Sequence, residues 1–319
     1  MTGSVLIPSF KRPQPLRRCL NSLAHQSIKP DEMLVAWQAD DFETRDIVEN
    51  VSQSSPVALR AVHSVQPGVV SAENAALDAA RGEIILLIDD DATAPPDWFA
   101  RHMKHYEDSS VGAVGGPADN LQPDGTPFPR RGDEPIGALG WWGRTTGNMH
   151  DQPMEWRTRS PIPVDHLVGY NMSLRRSAFD RFEDGLKPYW QMFEAEACLQ
   201  VRRRGFSVLF DFANVVEHRP TNTAYTSGRE GDLQVKVFNA AFNQALVLAK
   251  HASKLQGAAR LAQMLLVGSV NAPGLAALPI AWRRYGHISR EMKILRETWK
   301  SRLAGAQIGR ASRKRMTSG

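Results

Sequence analysis

The chain has 319 residues, 42% hydrophobic and 23% charged, a globular composition that excludes a disordered, collagen-like or disulfide-stapled protein. Its two cysteines fit no zinc-site spacing and indicate a reducing compartment, and the residues after Met1 lack the pattern of a secretory signal. The net charge is +5, but residues 283–319 hold eleven Lys and Arg against two Asp and Glu, a net +9 that leaves −4 elsewhere.

Strand and helix patterns alternate along the first hundred residues. Short apolar runs predict strands at 4–7, 33–37, 57–62 and 83–88. Apolar residues at helical spacing predict helices at 15–25, 42–52 and 71–80. The fourth strand is a continuous apolar run, which is typical of a parallel strand buried on both faces. This order predicts an α/β fold with a doubly wound, mostly parallel sheet flanked by helices.

The middle of the chain is less regular. Residues 120–163 are rich in Pro, Gly, Trp and Arg, which predicts a long functional loop. Its aromatic rings suit an acceptor sugar or lipid chain, or else core packing; they are Trp141, Trp142 and Trp156. Regular structure is predicted again at 165–179 and as a strand at 206–210.

The last hundred residues predict a helical region, with a domain boundary near residue 220 that separates 1–220 from 221–319. A helix is predicted at 233–251, and residues 261–281 contain no charged side chain. That stretch is long enough to cross a bilayer. Because Pro and Gly interrupt it, a re-entrant or surface-lying helix pair is favoured over a clean span, and a buried hairpin is the alternative. The basic residues that follow predict an anionic partner, a membrane surface rather than nucleic acid, unless they form a solvated tail.

Three consecutive carboxylates, Asp89, Asp90 and Asp91, follow the fourth strand directly. In parallel α/β sheets, ligands bind at the carboxyl ends of the strands. Like charges this close repel one another, and a divalent cation such as Mg²⁺ or Mn²⁺ would offset the repulsion while a phosphate completes its shell. The triplet therefore predicts a metal and phosphate site, with a helix cap as the structural alternative.

Side chains near the predicted strand ends suit the same site. The first strand ends in Pro8 and Ser9, followed by Phe10, whose ring can stack on a base, and Arg12, which can reach a phosphate. Asn74 lies after a glycine turn and can donate to a ligand, although a capping or core role fits the sequence equally well.

Two acids and a histidine in the second half of the domain are further candidates. Glu194 and Glu196 can serve as a general base, which must lie within about 3 Å of the proton that it removes. A glutamate on a helix is more often a solvated surface residue. His218 follows a strand-like run and can bind a metal or a diphosphate.

Taken together, these segments resemble the inverting family-2 glycosyltransferases of the GT-A fold, in the same order over residues 3–220. The segments that carry the resemblance are residues 4–13, 20–26, 29–32, 68–74, 79–84, 88–91, 169–176, 194–205 and 210–218. Each motif is weak alone, but residues 88–91 resemble the metal-binding Asp-x-Asp of the family.

The resemblance implies a role for each matching residue. Asp89 and Asp90 would face the ribose and diphosphate of the donor, and Asp91 would be the principal metal ligand, with His218 near the metal or diphosphate. Further donor contacts are implied for Pro8, Ser9, Phe10, Arg12 and Asn74. The sugar and acceptor floor would include Gly169, Asn171 and Trp190.

The chain departs from the family pattern at two places. The family usually has an Asp after its second strand to read the base, whereas Gln38 stands there, with Asp40 and Asp41 two and three residues on. At the Glu-Asp pair of the catalytic helix stand Phe193 and Glu194. We therefore expect Glu194 to be the base, with Glu196 as the alternative.

The resemblance implies a Mn²⁺- or Mg²⁺-dependent transferase that moves a sugar from a nucleoside-diphosphate donor to an acceptor hydroxyl. A lipid-linked or cell-surface glycan acceptor and a peripheral position on the inner, cytoplasmic face of a membrane are expected. The alternatives are a catalytically weak sugar-nucleotide-binding protein and a metal-dependent nucleotidyltransferase.

Overall fold

The computed structural model describes residues 1–122, 124–128, 136–139, 145–146, 149–188, 192–220, 233–268, 274–285 and 288–317. The chain divides into two compact units. The first comprises residues 1–138, 146–184 and 194–224, and the second comprises 139–145, 185–193 and 225–319. The boundary near residue 220 stays a prediction.

Strands and helices alternate through the first unit, and the second unit is helical. The strands are β1 (Gly3–Ser9), β2 (Glu32–Gln38), β3 (Ala58–Ser64), β4 (Ile84–Leu87), β5 (Ala92–Thr93), β6 (Val111–Gly115), β7 (Ala118–Asn120), β8 (Ala138–Leu139), β9 (Thr145–Thr146), β10 (Ile162–Pro163), β11 (Met172–Arg175), β12 (Ser207–Phe210) and β13 (Val216–His218). The helices are α1 (Pro13–Ala24), α2 (Phe42–Ser52), α3 (Val69–Ala79), α4 (Trp98–His105), α5 (Phe193–Arg203), α6 (Leu233–His251), α7 (Lys254–Leu266), α8 (Ala277–Tyr285) and α9 (Ser289–Thr317). The seven elements predicted before residue 90 are confirmed, with ends that differ by at most two residues.

Within the described residues, the central sheet has eight strands in the order β10-β12-β6-β11-β4-β1-β2-β3. β1 pairs in parallel with β2 and β4, and β2 with β3, so the predicted mostly parallel α/β sheet is confirmed. β11 differs because it runs antiparallel between β4 and β6. Its first residue, Met172, pairs with Leu87, so the 3₁₀ turn Gly169–Asn171 lies at the carboxyl end of β4.

A second, smaller sheet has the order β5-β13-β7. In its register His218 lies opposite both Ala92 and Asn120. Because β5 begins directly after the acid triplet, this pairing brings a residue from the far end of the unit beside the acids. The irregular segment predicted at 120–163 contains, in its described part, only short strands and the 3₁₀ turn Met154–Thr158.

The core of the first unit is formed by the central strands and the helices that cover them. The side chains from Ile84 to Ile88 are all 0% exposed, as the continuous apolar run predicts. The apolar side of α1, which includes Leu16 and Leu20, is buried as well. Fully burying a side chain of this size stabilises the fold by about 1.5–3 kcal/mol, so β4 holds the acid triplet on a rigid strand.

In the helical unit, α6 and α9 touch backbone to backbone. A Cβ added at Gly305 would lie 2.2 Å from the carbonyl oxygen of Phe242, and one at Gly309 would lie 2.2 Å from that of Leu246. Only glycine fits at such close approach. Among the described residues, no helix combines the length and the apolar content needed to cross a membrane.

Candidate functional site

Two residues at and just after the end of β1 bind the acid triplet. Ser9 Oγ donates to Asp90 Oδ2 at 2.7 Å, and Arg12 Nη1 donates to Asp90 Oδ1 at 2.9 Å and to Asp91 Oδ2 at 3.0 Å. Burial raises the pKa of Asp90, and the charge of Asp91 adds to this rise, against the opposing effect of Arg12. Two buried carboxylates share one guanidinium, so with Asp89 the cluster keeps an excess of negative charge. Arg12, predicted to reach a phosphate, instead binds the acids.

His218 completes the cluster from the small sheet. Its Nε2 lies 3.0 Å from Asp91 Oδ1 and 3.8 Å from Asp89 Oδ2. Its Nδ1 lies 2.8 Å from Asn120 Oδ1, and the amide nitrogen of Asn120 donates to Asp151 at 3.2 Å. Because the Asp151 carboxylate only accepts, the amide oxygen of Asn120 faces His218 and takes the Nδ1 proton. In the neutral imidazole, Nε2 then presents a lone pair to the acids.

These residues fit a divalent cation. One ligand atom from each of Asp89, Asp91 and His218 lies within 4.8 Å of the others. Two carboxylate oxygens suit Mg²⁺ or Mn²⁺, and an imidazole whose other nitrogen is hydrogen-bonded is a typical metal ligand with its supporting partner. The excess negative charge of the cluster supplies the electrostatic reason for a cation there.

Glu194, in the first turn of α5, lies against the turn that precedes β11. Its Oε1 accepts a hydrogen bond from the backbone N–H of Gly169 at 3.3 Å. Burial raises the pKa of Glu194 to about 7, and the charge of Asp89 contributes to this rise. A carboxyl poised near neutral pH suits general-base work. Glu196, by contrast, is 0% exposed and accepts from Gln200 Nε2 at 2.8 Å.

Asn171, predicted to line the sugar floor, is committed to the protein interior. Its Oδ1 accepts from Trp98 Nε1 at 2.8 Å and from His102 Nε2 at 3.1 Å. Its Nδ2 donates to the carbonyl oxygens of Pro117 at 3.1 Å and Asn214 at 2.7 Å. These four bonds use the whole capacity of an amide side chain, so in this structure Asn171 supports the fold and has no hydrogen-bonding atom left for a sugar.

Asn74 is a second amide whose hydrogen bonds go to the protein itself. Its Nδ2 donates to the carbonyl oxygen of Phe182 at 2.9 Å and to Asp184 Oδ1 at 2.5 Å, and its Oδ1 accepts from Phe182 N at 3.1 Å. The side chain is buried. Asn74 therefore anchors residues 182–184, and these contacts leave the prediction of donor binding without support.

Of the three residues expected to read the base, two are buried in contacts with the protein and one is exposed. Gln38 is buried and accepts from the N–H of Gly68, which has a φ of 122° at the start of α3, a conformation that favours glycine. Asp41 is buried as the cap of α2 and accepts from Lys11 N at 2.5 Å. Asp40 is exposed in the turn between them and is the acid of this group free to meet solvent or ligand.

The aromatic candidates are only partly described. Pro8, within β1, and Phe10, which directly follows the strand, are half-buried, and the Lys11 ammonium lies 5.0 Å from the centre of the Phe10 ring. Trp156 packs edge-on against Phe212, with 5.9 Å between ring centres. Trp141, Trp142 and Trp190 lie outside the described residues.

Sequence reasoning missed two residues near the site, Asn120 and Glu73. Asn120 lies 98 residues from His218 in the chain, so no local spacing links them. Glu73 on α3 is 2% exposed, and its Oε2 has no hydrogen-bond partner in the described part of the chain. Burial raises the pKa of Glu73 well above its usual range, and the charges of Asp89 and Glu194 add to the rise. Glu73 therefore places a buried carboxyl with a raised pKa near both acids, and only its folded environment reveals it.

We expect Glu73→Gln to stabilise the protein at pH 8 and to lose most of that advantage near pH 5. The pKa of Glu73 is raised in the fold, so its contribution to the free energy of unfolding is present at low pH and is lost as pH rises. Glutamine removes that dependence. Thermal unfolding at both pH values checks this, with the exposed Glu107→Gln as control. Equal differences from wild type at pH 5 and pH 8 would contradict the assignment.

The comparison with known families agrees with this geometry. The sequence profile described as Glycosyl transferase family 2 matches residues 4–182. The chain belongs to this family. The match covers β1 to the segment anchored by Asn74 and includes the acid triplet. The match ends before Glu194 and His218. The roles proposed for these two residues therefore rest on their geometry and not on the family match.

A curated relative and two solved structures extend the likeness. Glycosyltransferase AglE of Haloferax volcanii is 24% identical over 124 residues, which are 38% of this chain and 41% of that relative. TarS (residues 1–349) of S. aureus, solved with UDP-GlcNAc, has a TM-score of 0.57 at 14% identity, covering 100% of this chain and 92% of that 1–349 chain. The mannosyltransferase PcManGT of Pyrobaculum calidifontis, solved with GDP-Man and Mn²⁺, has a TM-score of 0.53 at 16% identity, covering 96% and 86%. These structures confirm the GT-A fold of the family-2 chain, while the curated match spans less than half of that relative.

Proposed function

We propose that this chain is an inverting, metal-dependent glycosyltransferase that transfers a sugar from a nucleoside-diphosphate donor to an acceptor hydroxyl. The observation that most directly supports this proposal is the cluster of Asp89, Asp91 and His218. Their ligand atoms lie within 4.8 Å of one another at the carboxyl end of β4. A general base candidate, Glu194, is close enough for the charge of Asp89 to raise its pKa. The nucleotide sugars and Mn²⁺ named for the similar structures support the proposal.

In this mechanism the residues have separate tasks. Asp89, Asp91 and His218 would hold Mn²⁺ or Mg²⁺, which when bound stabilises the charge on the departing diphosphate. Ser9 and Arg12 fix Asp90 beneath them. The Asn120 amide keeps the lone pair of His218 Nε2 directed at the acids.

Glu194 would act on the acceptor side. Its carboxylate takes the proton of the acceptor hydroxyl as the acceptor oxygen bonds to the anomeric carbon. The bond from that carbon to the diphosphate oxygen breaks, and the diphosphate leaves with the electron pair. A single in-line displacement of this kind inverts the anomeric configuration. The Gly169 N–H holds the Glu194 carboxylate in place.

We also propose a lipid-linked or cell-surface glycan as acceptor and a peripheral position on the cytoplasmic face of a membrane. The net charge of +9 in residues 283–319 supports an anionic surface as partner. Lipid-linked acceptors are found at such surfaces, which would bring the enzyme and its acceptor together.

A screen of nucleoside-diphosphate sugars, with and without Mn²⁺, tests the proposed reaction. We expect one donor to raise the melting temperature only when Mn²⁺ is present, because a ligand of the folded state stabilises it. Turnover should then release a nucleoside diphosphate and give a product of inverted anomeric configuration by NMR. Pyrophosphate release from a nucleoside triphosphate would favour a nucleotidyltransferase, and binding without turnover would favour a binding protein.

A further inference from the structure

One side of α8 is apolar and open to solvent. Ile280 is 68% exposed and Trp282 is 61% exposed, and Pro279 and Arg283 are exposed beside them. These four residues, which we call the α8 face, are spaced i, i+1, i+3 and i+4 and therefore lie on one side of the helix. Among the tryptophans that the structure describes, Trp282 alone is exposed, since Trp37 and Trp98 are buried and the other two are half-buried.

The turn before α8 exposes apolar side chains as well. Leu275 N donates to the carbonyl oxygen of Leu265, and Ala276 N donates to that of Leu266, both at 2.8 Å. These bonds fix the end of α7 against the start of α8. Three apolar side chains at this junction are exposed by 41–62%, and they are Leu266, Val267 and Leu275. Within the described residues of 261–281, these exposed side chains disagree with a fully buried hairpin and agree with the surface-lying alternative.

Basic side chains accompany the apolar ones. Arg283 belongs to the α8 face, and α8 packs against α9, whose first turns expose Arg290 and Lys293. The segment from residue 283 onward has a net charge of +9. Such a charge opposes docking of the same face on a second copy of the chain. A nucleic acid would not require the exposed Ile280 and Trp282.

We propose that the α8 face docks on an anionic lipid bilayer, with α8 lying in the plane of the interface. The apolar side chains enter the boundary between headgroups and acyl chains, where tryptophan is enriched, and the basic side chains meet anionic headgroups. α8 has nine residues, too few to cross a bilayer. The biological use of this docking rests on the proposed function, but lipid binding itself requires no transfer chemistry.

Flotation of the full chain with vesicles tests this proposal. We expect binding to vesicles that contain phosphatidylglycerol to be at least about tenfold tighter than binding to phosphatidylcholine alone. Ile280→Ser/Trp282→Ser should weaken that binding by at least about tenfold, since both side chains lose their apolar surface. The control Met154→Ser/Leu303→Ser removes side chains that are 71% and 56% exposed elsewhere and should bind as wild type does.

Each outcome decides the proposal. Unchanged vesicle binding by the α8 variant, or equal binding to both vesicle types, would overturn it. Binding to duplex DNA without vesicle binding, or a dimer that the α8 variant disrupts, would also overturn it and assign the face to another partner. Melting temperatures establish that each variant folds. Donor-induced thermal shifts, measured in parallel, report on the proposed transferase function separately.

Discussion

Replacing Glu194 with glutamine is expected to lower kcat by about 10²- to 10⁴-fold, the usual contribution of a general base. Glutamine keeps the size of the side chain and can still accept from the Gly169 N–H, but it cannot take a proton. Donor binding, which we propose to depend on the acid cluster, should persist. Steady-state kinetics and the thermal shift caused by donor and Mn²⁺ measure the two effects separately.

The pH profile gives an independent check of this role. With a pKa of about 7 in the free protein, Glu194 becomes protonated below neutral pH, so kcat/KM of the wild type should fall there. The residual activity of Glu194→Gln should lack this fall. Glu196→Gln is the matched control, because its side chain is buried against Gln200. Near-normal turnover by Glu194→Gln would refute the assignment, and a comparable loss in a folded Glu196→Gln would transfer the role to Glu196.

Asp91→Asn is expected to abolish tight Mn²⁺ binding and to lower kcat by at least about 10²-fold. A bound cation contributes several kcal/mol to stabilising transition-state charge, and about 1.36 kcal/mol corresponds to a factor of ten in rate. Titration followed by the electron paramagnetic resonance signal of free Mn²⁺ measures the affinity directly.

The same substitution should not unfold the protein. Arg12 is shared between Asp90 and Asp91, so it remains paired with Asp90 when Asp91 is neutral. The melting temperature without metal should therefore stay at or above that of the wild type. Asp97→Asn, which alters an exposed acid paired with Arg101, serves as the control. Wild-type Mn²⁺ affinity in Asp91→Asn would place the cation elsewhere.

The sheet and the acid cluster were predictable because they depend on patterns that persist along the chain. A continuous apolar run determines β4, and the rule for parallel sheets places Asp89 to Asp91 at its ligand-binding end. The antiparallel insertion of β11 was not predictable, since strand direction in a sheet depends on pairing across the chain.

The roles of the amide side chains could not be predicted from the sequence. Asn74, Asn171 and Gln38 were expected to contact ligands, yet each bonds to the protein backbone. An amide has the same donors and acceptors whichever partner it finds, so only the fold distinguishes the two roles. Asn120 illustrates the reverse case, because its partner His218 is brought to it by the pairing of β7 with β13.

The contact between α6 and α9 through Gly305 and Gly309 constrains how this protein can be shortened. Buried side chains of α6, including Phe242 and Leu246, are covered by the C-terminal helix, so a chain ending before Gly305 would expose them to water. Deleting this part of α9 in order to remove its positive charge would therefore expose apolar side chains and promote aggregation. Reversing individual charges on the outer side of α9, such as Lys293, alters the electrostatics and leaves the helix in place.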